Sequence, residues 1–383
     1  MRDHDIIVYG ATGFTGRLVA DYLSQQQVTR WAMAGRSRAK LEEVRDLIGA
    51  PADTPLIVAD ADDPASLKAM AESTRVVVTT VGPYQLYGAG LVAACVAAGT
   101  AYVDLCGEPA WMRQMIDAHH AAAQASGARI VFSCGFDSIP FDLGVLTLQE
   151  CARAKYGHPA PRVKGRVRAM QGGFSGGTAA SLKATLAAAA RDPSILGQLA
   201  NPFALTPGFS GPHQPTGLFP EFDATLNTWV APFIMAAINT KNVHRTNFLL
   251  GHRYGTDFIY DEMMVAGLGE MGKAAAEAIA KLNPLASDKG PKPGEGPSKA
   301  ERDAGHYDLL FVGLMPDGAR FDAVVTGDRD PGYGSTSKMI AEAALCLVQD
   351  VEGDGGIWTP GALMGVKLRD RLVAKAGLTF TVG

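Results

Sequence analysis

Residues 5–9, 31–34, 56–60, 76–81, 101–105 and 130–133 are short, largely unbroken apolar runs rich in valine, isoleucine and alanine, the form taken by strands buried on both faces. Between them the apolar positions recur at helical spacing, as in Phe14, Leu18, Val19, Tyr22 and Leu23. Strand and helix alternating in this way predict an α/β fold, a doubly wound parallel sheet of Rossmann type. After about residue 144 the pattern changes. Residues 163–170 alternate at period two, residues 257–260, 307–312 and 321–325 read as further strands, and 315–319 reads as a hairpin turn. This predicts a second, α+β domain on a mainly antiparallel sheet. The expected division is 1–143, 144–334 and a C-terminal helical segment, 335–383, packing back on the first domain.

The first run enters a glycine turn, Gly10, Ala11, Thr12, Gly13, Phe14, Thr15 and Gly16, and a helix follows. Such a turn lets backbone approach a diphosphate closely, while the helix start offers unpaired N–H groups and partial positive charge. The end of the second run decides which dinucleotide fits. An NAD protein carries an acidic residue there for the ribose hydroxyl, whereas this chain has Arg36, Ser37, Arg38 and Lys40. Cations at a helix start oppose its dipole, so their presence points to a bound anion, the 2′-phosphate of NADP(H). Asp60, after the third run, and Val81, Gly82 and Pro83, after the fourth, complete the expected cofactor site.

With 383 residues, 47% hydrophobic and 19% charged, the chain suits a large-cored globular protein of two domains. A formal net charge of −4 gives no attraction to nucleic acid. The five cysteines form no Cys-x-x-Cys pair, and no histidine stands at zinc-ligand spacing, so no metal and a reducing, cytoplasmic compartment are expected. Met1 leads almost directly into a strand, so no signal peptide is expected, and no run reaches the ~20 residues of a membrane span. The longest apolar stretch, 228–238, reads as a buried helix or strand, or else as a greasy surface beside a lipid-like substrate. Peripheral membrane contact and a homodimer stay open. Residues 286–304, rich in proline and glycine, read as a long loop, either a lid or a linker.

Ligands sit beyond the carboxyl ends of parallel strands. Tyr84 and Tyr87 follow the fourth strand and can hydrogen-bond an enolate or donate a proton. Glu108 follows the fifth and Asp137 the sixth; each is a candidate acid if desolvated, or a helix cap. Arg245 with Thr246 can hold an acidic group, and Gly172 to Thr178 can cradle an anion or merely connect.

Val8 to Gly16, Val81 to Gly88, Tyr102 to Glu108 and Cys134 to Pro140 resemble, in order and spacing, the saccharopine dehydrogenase-like oxidoreductases. Gly294 to Ser298 and Trp358 to Ala362 resemble the branch named trans-acting enoyl reductases. The resemblance spans nearly the whole chain. It implies an NADP(H)-dependent reductase acting on a carbon–carbon double bond of an enoyl thioester or lipid-like acyl chain. Two other readings are weighed against it: a saccharopine-type amino-acid dehydrogenase, needing a cationic pocket from Arg166, Arg168, Arg245 and Arg253, and a non-catalytic NADP-binding sensor or scaffold.

Overall fold

A strand that is apolar on both sides is satisfied only inside a sheet covered on both faces, and the N-terminal half builds such a sheet. The protein is described by a computed structural model covering residues 2–26, 30–173, 176–282 and 294–383. Residues 174–175 of the expected connector and 286–293 of the expected loop lie outside the described residues.

The first sheet contains β1 (His4–Tyr9), β2 (Trp31–Gly35), β3 (Leu56–Val58), β4 (Thr74–Thr79), β5 (Ala101–Val103) and β6 (Arg129–Val131). The second contains β7 (Arg162–Gln171), β8 (Glu221–Asp223), β9 (Thr228–Pro232), β10 (Ile259–Gly267), β11 (His306–Leu314) and β12 (Arg320–Gly327). The chain then returns to each in turn, adding β13 (Gly356–Trp358) to the first and β14 (Leu378–Val382) to the second. The first sheet has the order β13-β6-β5-β4-β1-β2-β3, and every pair in it is parallel. The second, β14-β12-β11-β7-β10-β9-β8, is antiparallel except for β7 with β10.

Several elements differ from expectation for identifiable reasons. β3, β5 and β6 end before 60, 105 and 133 because polar groups draw the chain out of the ladder. The Asp104 carboxylate, for instance, accepts from the amides of Cys106 (3.0 Å) and Ser133 (2.9 Å). β10 runs well past 260 because Asp261 and Glu262, which break the apolar pattern, are buried and paired. The 228–238 stretch divides, giving β9 and then the start of the helix Ala236–Leu249. The segment after 335 is not purely helical, since β13 and β14 interrupt it.

Alternation along the buried strands sends Ile7, Tyr9, Val77 and Tyr102 into one core and Ile6, Val8, Val76 and Val78 into the other. The second core also receives Met339, Ile340, Ala343, Ala344 and Leu347 of the helix Thr336–Gln349 and continues without a break to Leu309, Phe311 and Val325 of the second sheet. The bridge between the sheets is the helix Ile139–Tyr156. At Gly144 an added Cβ would stand 2.3 Å from the Phe311 ring, so only glycine lets this helix approach β11 so closely. Among the described residues, no helix is long and apolar enough to cross a membrane.

Candidate functional site

The glycine turn is shaped by steric necessity. Gly10 has φ +89°, and a Cβ at Gly16 would lie 2.1 Å from the Gly10 carbonyl oxygen, so the helix Phe14–Gln25 sits directly on the turn. Its N-cap, Gly13, supplies no side-chain bond, and its first turn carries no acidic residue. The N–H groups of a helix start are therefore left for an anion, which fits a diphosphate. At the end of β2, Arg36 is exposed and has no hydrogen-bond or ion-pair partner among the described residues. Ser37 caps the helix Arg38–Leu47 by accepting from Lys40 N, leaving its own hydroxyl proton to donate outward. Arg38 pairs with Glu42 at 3.2 Å on the exposed face, and Lys40 is exposed. Asp60 accepts from Asp62 N at 3.1 Å and shapes the turn after β3. Arg36, Ser37 and Lys40 thus leave donors at the end of β2 whose chemistry suits a sugar phosphate.

The loops after β4, β5 and β6 converge beneath a roof from the second domain. Gly82 faces Ser181, and Gln85 donates to Thr185 (3.2 Å), both on the helix Gly176–Arg191. Gly107 faces Ile238, and Asn242 donates to the Ser138 hydroxyl (2.8 Å), both on the helix Ala236–Leu249. The Gly82–Pro83 and Asp137–Ser138 peptide bonds are cis.

Around these loops the four candidate catalytic residues have different surroundings. Glu108 is 4% exposed, and its two oxygens accept from Tyr84 N (2.9 Å) and Gln85 N (2.8 Å), capping the short helix Tyr84–Tyr87. The Tyr84 hydroxyl is buried; it donates to Thr79 O and accepts from Leu105 N, and burial beside Asp104 pushes its pKa well up. Tyr87 is 42% exposed. Asp137 is half-buried, yet its Oδ1 is sealed from solvent without a hydrogen-bond partner among the described residues, and burial raises its pKa to about 7.

Sequence reasoning missed a polar cluster on the roof. Asn239 and Asn242, one helical turn apart, donate respectively to Glu262 Oε2 (2.9 Å) and to Ser138 beside Asp137. Tyr260 donates to Glu262 Oε1 at 2.8 Å. Burial, with the Asp137 and Asp261 charges, pushes Glu262 up to about 8 against those two hydrogen bonds. The only signal was the Asn-x-x-Asn spacing, which is indistinguishable in sequence from an exposed helix face.

Three of the four candidate arginines of the second domain, Arg166, Arg168 and Arg245, are engaged by other residues of the protein. Arg166, fully buried, holds Asp223 and Asp261 at 2.8 Å each, while Arg168 pairs with Asp308 at 2.6 Å. Arg245 donates to the carbonyls of Leu205 (2.5 Å) and Ile357 (2.7 Å) and ties the roof helix to β13. Arg253 is exposed.

Comparison with known proteins identifies the family. Residues 6–131 match the saccharopine dehydrogenase NADP binding domain family. A Mycobacterium tuberculosis protein, provisionally named a trans-acting enoyl reductase, is 42% identical over an alignment covering 99% of this chain and 97% of the relative. The Mycobacterium leprae trans-acting enoyl reductase is 37% identical, with 97% of this chain and 96% of the relative covered. The apo saccharopine dehydrogenase (L-Glu forming) of Saccharomyces cerevisiae superposes with a TM-score of 0.57 at 12% identity, over 99% of this chain and 100% of that one. At that identity the likeness concerns the fold alone.

Proposed function

The chain belongs to the trans-acting enoyl reductases, a branch of the saccharopine dehydrogenase-like oxidoreductases, and on that premise we propose that it reduces the carbon–carbon double bond of an enoyl thioester or similar lipid-like acyl substrate. It is an NADP-dependent oxidoreductase. When bound, NADPH supplies the hydride for the β-carbon.

The residues of the chain supply the rest. Gly10 to Gly16 and the Arg36–Ser37 pair hold the two phosphate ends, and Val81, Gly82 and Pro83 wall the reacting end. Asp137 donates a proton to the α-carbon, burial raising its carboxyl toward neutrality so that the protonated form is available there. Glu108 fixes the helix bearing Tyr84, whose hydroxyl braces the loops after β4 and β5, and Tyr87 lines the cleft mouth.

The observation that carries an acyl over an amino-acid substrate is the internal pairing of Arg166, Arg168 and Arg245. Binding an amino dicarboxylate needs free guanidinium groups, and these are already neutralised or hydrogen-bonded. The test is NADPH oxidation against enoyl thioesters of graded chain length, with glutamate plus an aldehyde in parallel. Turnover of the thioesters alone is expected. Turnover of only the amine-forming pair would reverse the assignment, and tight NADPH binding without any turnover would favour the sensor reading.

A further inference from the structure

Phe14, the first residue of the helix that opens on the diphosphate turn, is not part of the core its helical spacing suggests. Its ring is half-buried and contacted by the second domain. Tyr333 meets it edge-on, with centroids 5.2 Å apart, and the Arg302 guanidinium lies over it at 5.5 Å. Gly296 lies so close that an added Cβ would stand 2.5 Å from ring atom Cε1. Beside it, Arg17 of the same helix donates to Gly294 O at 3.1 Å. The contacting segment is itself well fixed. Ser298 and Glu301 form a reciprocal cap for the helix Lys299–Ala304, Arg302 donates to Pro297 O, and Asp330 N donates to Arg302 O.

We propose that residues Gly294 to Arg302 are a clasp from the second domain which, through the Phe14 ring, positions the diphosphate turn and so sets cofactor affinity. Its ground is the set of contacts on the ring and the absence of space at Gly296, and it rests on the cofactor site rather than on the choice of substrate. Phe14 is adjacent to the N–H groups that face the anion, so displacing its ring displaces them. Gly296, Tyr333 and Arg302 are positioning residues acting through Phe14.

A double-mutant cycle read by NADPH dissociation constant, with melting of the apoprotein as a control, tests this. In the wild-type background Gly296→Ala is expected to raise Kd roughly tenfold while leaving the apo melting temperature nearly unchanged, because a misplaced N–H loses a charge-assisted bond. In a Phe14→Ala background, where the ring is gone, the same change is expected to alter Kd less than about twofold. An unchanged Kd in both backgrounds would overturn the proposal, and so would an equal loss in both. If Gly296→Ala fails to fold, Arg302→Met keeps the packed stem and removes the cation, and is expected to raise Kd about two- to fivefold. No change there would equally overturn the clasp. None of these readouts involves turnover, so an unsuitable acyl substrate cannot mimic failure.

Discussion

Replacing Glu108 with glutamine keeps the side-chain volume and removes the charge, which separates the two roles a carboxyl at this position can have. The native carboxylate accepts from two backbone N–H groups at 2.9 and 2.8 Å and is 4% exposed. Glutamine offers one oxygen and one NH₂, so one buried amide of the helix Tyr84–Tyr87 loses its acceptor and faces another donor. A hydrogen bond to a charged group contributes ~1.5–3 kcal/mol, and stranding a buried donor costs ~1–3 kcal/mol, so a loss of about 2–4 kcal/mol is expected. For domains of about 150–250 residues each kcal/mol moves the melting temperature by ~2–4 °C, which makes the expected drop roughly 4–16 °C. Scanning calorimetry of the apoprotein measures the drop, and NADPH titration checks the neighbouring Val81–Pro83 wall, which should bind more weakly. A variant that melts like wild type, binds NADPH normally and yet has lost both turnover and the ionisation seen in its pH–rate profile would refute the capping argument and make Glu108 the acid.

Three further outcomes follow from the same geometry. Asp137→Asn should lower kcat by ~10²–10⁴-fold with NADPH affinity unchanged, and in the wild type turnover should decline as pH rises through about 7, where the donor loses its proton; single-turnover rates across pH measure both, and an unaltered kcat would remove Asp137 as donor. Arg36→Ala should weaken NADPH binding by ~10–150-fold, the equivalent of one charge-assisted bond, and leave NADH binding as it was; an unchanged ratio of the two constants would defeat the 2′-phosphate assignment. Burial pushes Asp104, Asp137 and Asp142 up to about 7 and Glu262 to about 8, whereas their ordinary values are 3.8 for Asp and 4.5 for Glu. The folded chain therefore holds more protons than the unfolded chain over that window, and stability is greatest below it and lost as pH rises through 7 and 8. Urea midpoints should fall between pH 5 and pH 8.5 and fall less in Glu262→Gln; a midpoint that rises would contradict the burial of these groups.

The parts legible in sequence were those where local pattern and local chemistry coincide. The glycine turn needs Gly10 at positive φ and Gly16 against a carbonyl, and both requirements appear as letters in a row. The alternation of β7 was visible for the same reason. What could not be read depended on partners far along the chain. Phe14 satisfies a helical stripe equally well as core residue or as the target of Gly296 and Tyr333, hundreds of positions away. Arg245 looks like a substrate-binding cation until the carbonyls of Leu205 and Ile357 occupy it. Strands of three residues such as β8 and β13 carry too few positions to display a period, and they exist because a neighbouring edge accepts them.

The late return of the chain to both sheets makes its halves poor modules. β13 closes the rim of the nucleotide-binding sheet along β6, and β14 closes the other sheet along β12. An excised fragment ending near residue 143 would present the bare rim of β6, with its unpaired amides and carbonyls, to any passing copy of itself. Swapping nucleotide halves between relatives would therefore require carrying the tail with its original owner. Evolution of the cofactor half and of the substrate half has to proceed under one shared C-terminal suture.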